Sequence, residues 1–247
     1  MSVITKKGDY GNTSTLNGNL TKGNSLLDIL GEIDQLNTLI GLIRYHGETC
    51  DPNILQVVKD AIENNREYDS GDYSIKLSSE QLTSCEKFIE IPFNDEKTIG
   101  EFGYISNFLN GIQNKLFNIS SQISYFNIDE KYISNNDLTL MINLLEKNVY
   151  EMERVLPKLK TFILPGGNLL ACNSHLARCQ TRKVERMLVK LRDDYINNNE
   201  DTNFNINNLI YIIFNRLSDY FFTLSRYYNF LLNNDNVEYN KDYIFDI

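Results

Sequence analysis

The chain has 247 residues, 42% hydrophobic and 23% charged, which suits one large domain or two small ones and is far too apolar for a disordered chain. A formal charge of -9 and a pI near 4.8 exclude nucleic acid or an anionic membrane as the main partner, because both demand a net positive footprint. No apolar run approaches the roughly 18 residues that span a bilayer, and MSVITKKGDYG lacks the apolar centre of a signal peptide. The protein is expected to stay where it is made: the cytoplasm, or the mitochondrial matrix if a transit peptide has been removed.

Five segments carry helical periodicity. The first begins at Ser25, a candidate cap with Asp28 three residues on, and its Leu26, Ile29, Ile33, Leu36, Ile40 and Ile43 form one apolar stripe. Asn64 to Ser84 follows as a long polar excursion rich in Asn, Asp, Ser and Gly. The second helix spans about Ile99 to Phe126, with Ile105, Phe108, Leu109, Ile112, Leu116, Ile119 and Ile123 apolar. The third runs from about Ser134 to Leu156 and stops at Pro157. The fourth starts after Pro165-Gly166-Gly167, with Asn168 or Asn173 as candidate caps. A second polar insertion, about 197–208, precedes the fifth, from about Asn207 to Leu232, whose buried side is Leu209, Ile213, Leu217, Tyr220, Phe221 and Leu224. The tail 233–247 is polar until its end. No alternating strand pattern competes, so the expected fold is all-α: a single domain over 1–247 built as a five-helix bundle of ferritin-like up-down architecture with polar insertions.

The fourth helix carries the strongest chemistry. At about 100° per residue, Ala171, His175, Arg178, Arg182, Glu185, Arg186 and Val189 share one arc, while Leu176, Ala177, Val184, Met187, Leu188 and Leu191 fill the opposite side. Three guanidiniums with one acid among them repel one another unless an anion compensates them, and a polyphosphate would. A solvated basic face or a salt-bridge seam between subunits is the alternative. The N-terminal Thr5-Lys6-Lys7-Gly8-Asp9-Tyr10-Gly11-Asn12-Thr13-Ser14 also suits phosphate, since glycine admits backbone amides, lysine supplies charge and hydroxyls donate to oxygen. It lacks the Walker A spacing, and an ordinary polar arm would look the same. Phe162-Ile163-Leu164-Pro165-Gly166-Gly167 makes a sharp turn that can present Phe162 at a pocket wall or bury it as a core aromatic. On the last helix Asn215 and Asp219, four apart, share a face where an amide can read a base or ribose and a carboxylate can orient an arginine. Cys50, Cys85, Cys172 and Cys179 form no CxxC pair, and with only His46 and His175 no protein-held metal site is expected. A disulfide between Cys172 and Cys179 within one helix is sterically excluded.

In order and rough spacing, TKKGDYGNTSTLNG, GEIDQLNTLIGL, GIQNKLFNIS, FILPGG, HLARCQTRKVER and NRLSDYFFTLSRY resemble the motifs of PduO-type ATP:cob(I)alamin adenosyltransferases. The resemblance touches all five expected helices. It implies a homotrimer with ATP bound between neighbouring subunits, and transfer of the 5'-deoxyadenosyl group to the cobalt of cob(I)alamin with release of triphosphate. Carried over position by position, ATP binding falls on Thr5, Lys6, Lys7, Gly8, Thr13, Ser14, Lys22, Arg182, Lys183, Glu185, Arg186 and Asn215. The resemblance further implies that Asp34 pairs with Arg178, that Phe162 crowds the lower face of the corrin, and that Mg2+ accompanies ATP. A corrinoid reductase and an adenosylcobalamin-dependent mutase are the implied protein partners. This chain departs from the family pattern in four places. Asn19-Leu20-Thr21 supplies no arginine before Lys22 and is one residue shorter, Lys183 stands where a second arginine is common, Ser120 replaces a glycine, and Tyr150 replaces an acid. Cobalt is itself the nucleophile in such a reaction, which accounts for the poverty of histidine. The competing readings are a nucleotide- or corrinoid-binding chaperone that hands the finished cofactor to a mutase, and a purely structural acidic bundle.

Overall fold

In the computed structural model, residues 6, 8–15, 18–48, 101–125, 133–197 and 206–243 are described. Two strands, β1 (Asn12–Thr15) and β2 (Gly18–Thr21), precede five helices: α1 (Ser25–Glu48), α2 (Glu101–Ser124), α3 (Asn135–Val155), α4 (Leu169–Asn197) and α5 (Asn208–Leu231). The architecture is an all-α bundle, as the periodicity predicts. The insertion 64–84, most of 197–208 and the last residues of the tail lie outside the described residues.

The packing order across the bundle is α2, α1, α4, α5, α3, so α4 sits between α1 and α5. The stripe predicted on α1 is buried in full, from Leu26 to Ile43. Facing it on α2 are Ile105, Leu109, Ile112, Leu116, Ile119 and Ile123, and α5 adds Ile213, Phe214, Leu217, Tyr220, Phe221 and Leu224. Phe108 meets the Tyr220 ring edge to face at 5.4 Å, a geometry that aligns ring edge with π-face.

Helix ends follow local chemistry. Ser134 caps α3 by accepting from the Asp137 amide, and Asn207 caps α5 by accepting from Leu209. At the start of α4 the choice between two asparagines resolves to Asn168, whose Oδ1 accepts from the Ala171 amide, while Asn173 is buried inside the helix. For α1 the cap is Asn24 rather than Ser25: its Oδ1 accepts from the Leu26 amide, and its carbonyl accepts from Leu27 and Asp28. The turn that joins the Asn24 amide to Thr21 brings the amide side chain into place one residue early.

The hairpin corrects the expectation of no strands. Asn12 pairs with Thr21 and Thr13 with Leu20 in antiparallel register, yet the two strands are four residues each and polar, so they show no alternation to read. Leu20 packs against the core.

The turn before α4 depends on one glycine. Gly167 has φ +111, and a Cβ built there would lie 2.0 Å from Asn229 Oδ1, whereas nothing lies within 4 Å of one built on Gly166. Gly167→Ala is therefore expected to cost about 2–4 kcal/mol through strain and overlap, with Gly166→Ala near neutral. Urea unfolding of the two variants checks this, and equal stabilities would contradict it.

Candidate active site

The site is built around α4. Its seam of Ala171, Ser174, Ala177, Thr181, Val184 and Leu188 is buried, with the two hydroxyls satisfied by carbonyls four residues back, Leu170 and Ala177. Turning that seam inward leaves Arg182 and Arg186 exposed on the other side. Among the described residues neither of these arginines forms a hydrogen bond or an ion pair. Two guanidiniums with no carboxylate bonded to either make an anion-binding face even on an acidic protein.

The neighbouring helices set its borders. From α1, Glu32 accepts from Lys183 Nζ at 2.6 Å and from Gln180 Nε2 at 2.6 Å, and these bonds, Lys183 first, hold its carboxyl below the usual range. Lys183 is thus engaged by α1 rather than left open beside the arginines. From α5, Asn215 Nδ2 donates to Glu185 Oε1 at 3.2 Å, and Arg216 donates to Asn215 Oδ1 at 2.8 Å while its Nε reaches Glu146 Oε1 at 2.6 Å. Asp219 lies near Arg216, Glu185 and Arg182, and partial burial raises its carboxyl against the pull of the two arginines. Glu185, Asn215 and Arg182 therefore share one edge of the α4 and α5 pair. Sequence reasoning missed Glu32 and Glu146; Glu32 lies two residues before Asp34, and nothing in its local pattern marks it as the partner of a lysine 151 positions on.

The N-terminal residues gather separately. Lys22 Nζ donates to the Gly8 carbonyl at 2.8 Å, and the Lys22 amide donates to Gly11, so lysine and glycine loop converge. A Cβ on Gly8 would come 3.0 Å from that Nζ. Thr13 and Ser14 lie on β1, with Ser14 Oγ donating to Asn19 Oδ1 at 2.7 Å, and Lys6 is exposed with φ 57. Thr5 and Lys7 lie outside the described residues. Among the described residues no hydrogen bond or ion pair connects Lys6, Gly8, Thr13, Ser14 or Lys22 to Arg182 or Arg186.

Three further positions test the reading of the sequence. Asp34 is exposed; its carbonyl accepts from the Thr38 hydroxyl, and among the described residues its carboxylate forms no hydrogen bond or ion pair. Arg178 is half-buried, with an unpartnered buried Nε and a weak donation to Cys179 Sγ; no ion pair joins it to Asp34 within the chain. Phe162 is 83% exposed, which removes the core-aromatic alternative. Three residues depart from the predicted arcs on α4, Ala171 among them, since it lies in the buried seam rather than on the charged arc. His175 is buried and Leu176 is 54% exposed, because the first turns of α4 are enclosed by both α1 and α5 and the seam rotates toward them.

The family model for cobalamin adenosyltransferases matches residues 3–102 and 95–228. The chain belongs to the cobalamin adenosyltransferase family. A corrinoid adenosyltransferase of Bacillus subtilis (strain 168) is 26% identical over 245 residues, which span 99% of this chain and 95% of that protein. The corrinoid adenosyltransferase MMAB of Bos taurus is 37% identical over 83 residues, 34% of this chain and 31% of its own. Among solved structures, a phenylalanine-to-alanine variant of a PduO-type ATP:corrinoid adenosyltransferase from Lactobacillus reuteri, complexed with cobalamin and ATP, has a TM-score of 0.66 at 26% identity and covers 97% of this chain and 100% of that one. The family match ends at residue 228, so in this cobalamin adenosyltransferase Asn229 and everything after it lie beyond the matched region.

His175 gives a test that needs no ligand. Burial, reinforced by the Arg178 charge, lowers its imidazole to about 4, and neither ring nitrogen has a hydrogen-bond partner. The folded protein holds His175 neutral while the unfolded chain takes up a proton below about 6.5. The stability it contributes is thus complete above pH 6.5 and is lost as pH falls toward 4, by roughly 1–3 kcal/mol. In His175→Gln the difference in unfolding free energy between pH 6.5 and 4.5 should shrink accordingly; an unchanged difference would contradict the assignment.

Proposed function

We infer that this chain is an ATP:cob(I)alamin adenosyltransferase that moves the 5'-deoxyadenosyl group of ATP onto the cobalt of the reduced corrinoid. What carries this reading, beyond family membership, is the pair of exposed arginines Arg182 and Arg186, neither bonded to a carboxylate among the described residues, beside the Glu185 and Asn215 edge, on a helix that opens directly after the exposed Phe162 loop. Both substrates have a place: an anion face for a triphosphate and an apolar ring offered to a flat macrocycle.

The chemistry is a displacement. The cobalt(I) electron pair attacks C5' of the ribose, the bond from C5' to the triphosphate oxygen breaks with its electrons, and cobalt becomes formally cobalt(III). The protein contributes alignment and charge. Arg182 and Arg186, with Lys6, Gly8, Thr13, Ser14 and Lys22 and with Thr5 and Lys7 beside them, bind the phosphates and stabilise the leaving charge. Asn215 orients the nucleoside while held by Glu185 and by Arg216. Lys183 serves the phosphates only after release from Glu32. Phe162 keeps a lower ligand off cobalt, which eases reduction to cobalt(I) by a separate corrinoid reductase, and a mutase is the natural recipient of the product. Magnesium would neutralise phosphate charge. Among the described residues no cluster of three His, Cys, Asp or Glu is placed to hold it, so the triphosphate itself would be its main ligand.

The active form is a homotrimer of a single-domain chain. Asp34 and Arg178 lack each other within one chain, and the N-terminal loop and the arginine face are unconnected there. A neighbouring subunit would supply both missing halves. Among the described residues no helix is long and apolar enough to cross a membrane, and the cytoplasm is the compartment we assign.

ATP-dependent conversion of reduced cobalamin to its adenosyl form is the direct assay, and its absence with folded protein would overturn the reading. Arg186→Ala should weaken ATP binding at least about tenfold through loss of a charge-assisted contact of about 1.5–3 kcal/mol; unchanged affinity in calorimetry would remove Arg186 from the site. Light scattering should give about three times the 28.7 kDa chain mass, and a monomer under active conditions would remove the intersubunit site. Phe162→Ala should cut turnover sharply while melting temperature and ATP affinity stay near those of the parent.

A further inference from the structure

Phe162 is exposed, so its ring is aimed by its backbone rather than by packing. That backbone belongs to a stretch between α3 and α4 with no regular structure of its own. Among the described residues, the hydrogen bonds of 161–165 all go to one place, the segment after α5: the Tyr239 amide donates to the Phe162 carbonyl at 2.7 Å, and the Leu164 amide donates to the Val237 carbonyl at 2.8 Å. Between them Ile163 and Glu238 form an antiparallel bridge. The tail is thus a one-bridge strand laid along the Phe162 loop.

The tail's own course is fixed at the other end. Helix α5 stops in a Schellman turn: Asn233 takes φ 52, the Asn234 amide donates to the Asn229 carbonyl at 2.8 Å, and the Asn233 amide donates to Phe230. This reverses the chain over Asn229, which is 1% exposed and uses its whole side chain. Its Nδ2 donates to the Gly166 carbonyl and to Asn236 Oδ1, both at 3.1 Å, and its Oδ1 accepts from the Asn168 amide and from Asn168 Nδ2. A single buried amide therefore ties the turn that follows Phe162 to the tail that pairs with Phe162. No other residue at Gly167 could approach it so closely.

We propose that the segment 233–239, locked by Asn229, is the positioning element of Phe162, so that Asn229, Asn236 and the Tyr239 amide act on the reaction through the aromatic that faces the corrin. The proposal rests on the role given to Phe162 above. It assigns a function to a segment past the residues that the family model matches, and Asn236 is the tail side chain that enters it, because the two bonds to the loop are made by backbone atoms.

The test uses the full chain. Tyr239→Pro deletes the amide that holds the Phe162 carbonyl, whereas Tyr239→Ala keeps it and removes only a half-exposed ring. At saturating ATP, Tyr239→Pro should lower turnover about tenfold, the scale at which a small misplacement affects an aligned reaction. It should also leave more of the bound cob(II)alamin with a lower axial ligand in its electron paramagnetic resonance spectrum, with ATP affinity and melting temperature unchanged. Tyr239→Ala should match the parent. Asn236→Ala, which removes the far partner of Asn229 and leaves the backbone intact, should reproduce the Tyr239→Pro pattern in weaker form and serves if the proline variant does not fold. In a Phe162→Ala background Tyr239→Pro should add nothing. Parent-like turnover and spectrum in both Tyr239→Pro and Asn236→Ala, beside an impaired Phe162→Ala, would overturn the tail's role alone, as would a further loss in the double variant or a defect confined to ATP affinity. A parent-like Phe162→Ala would instead overturn the role of Phe162 on which the proposal stands.

Discussion

The burial of α4 between α1 and α5 is the constraint on which the site depends. Ala171, Ser174, Ala177 and Thr181 recur at three- and four-residue spacing along its first half, and such small side chains let neighbouring helices approach closely. Larger Val184 and Leu188 continue the buried seam. Once that seam is fixed, helical geometry leaves no freedom in where Arg182 and Arg186 point. A rotation of α4 by one position would bury a guanidinium, at a cost no surface contact could offset.

Charge is then sorted by the flanking helices rather than by α4 itself. Lys183 is taken by Glu32 and Arg216 by Glu146, pairs exposed enough that each contributes little to stability. Their value lies in placement. Glu32 draws one cation toward α1, and Arg216 braces Asn215 against Glu185, so the two unpaired arginines stand apart with a directed amide at their edge. An acidic protein can present a strong local anion site in this way, because screening confines the influence of distant carboxylates while the adjacent guanidiniums act over a few ångströms.

The parts that touch the bundle least, the hairpin and the Phe162 loop, are held by polar contacts of a different kind. Lys22 pins the glycine loop through a carbonyl, and Asn229 pins the loop before α4 and the tail together. Arg226, buried and lowered by that burial, donates to the Pro157 carbonyl and so anchors the start of the same loop. Backbone carbonyls without regular partners are costly when shielded from water, and side-chain donors reaching from the bundle satisfy them while fixing the loop's course.

Through periodicity and local signals the sequence determined the five helices, the buried stripe of α1, the stop at Pro157 and the approximate starts at Ser134 and Asn207, because burial of one face and termination of a helix are local problems with local solutions. It also determined which residue types could serve as an anion grip, since Arg182, Arg186 and Glu185 share a face in any helix. It could not determine that His175 would be buried and Leu176 exposed, because both sit at the margin of the stripe and the angle at which α1 and α5 close on α4 decides which is covered. Nor could it show that Lys183 is spoken for by Glu32 or that Asn229 reaches Gly166 and Asn236, since partners separated by up to 151 residues meet only through the packing of the whole bundle. The short polar hairpin escaped for the opposite reason: four-residue strands open to water carry no alternation, and only their mutual hydrogen bonds define them.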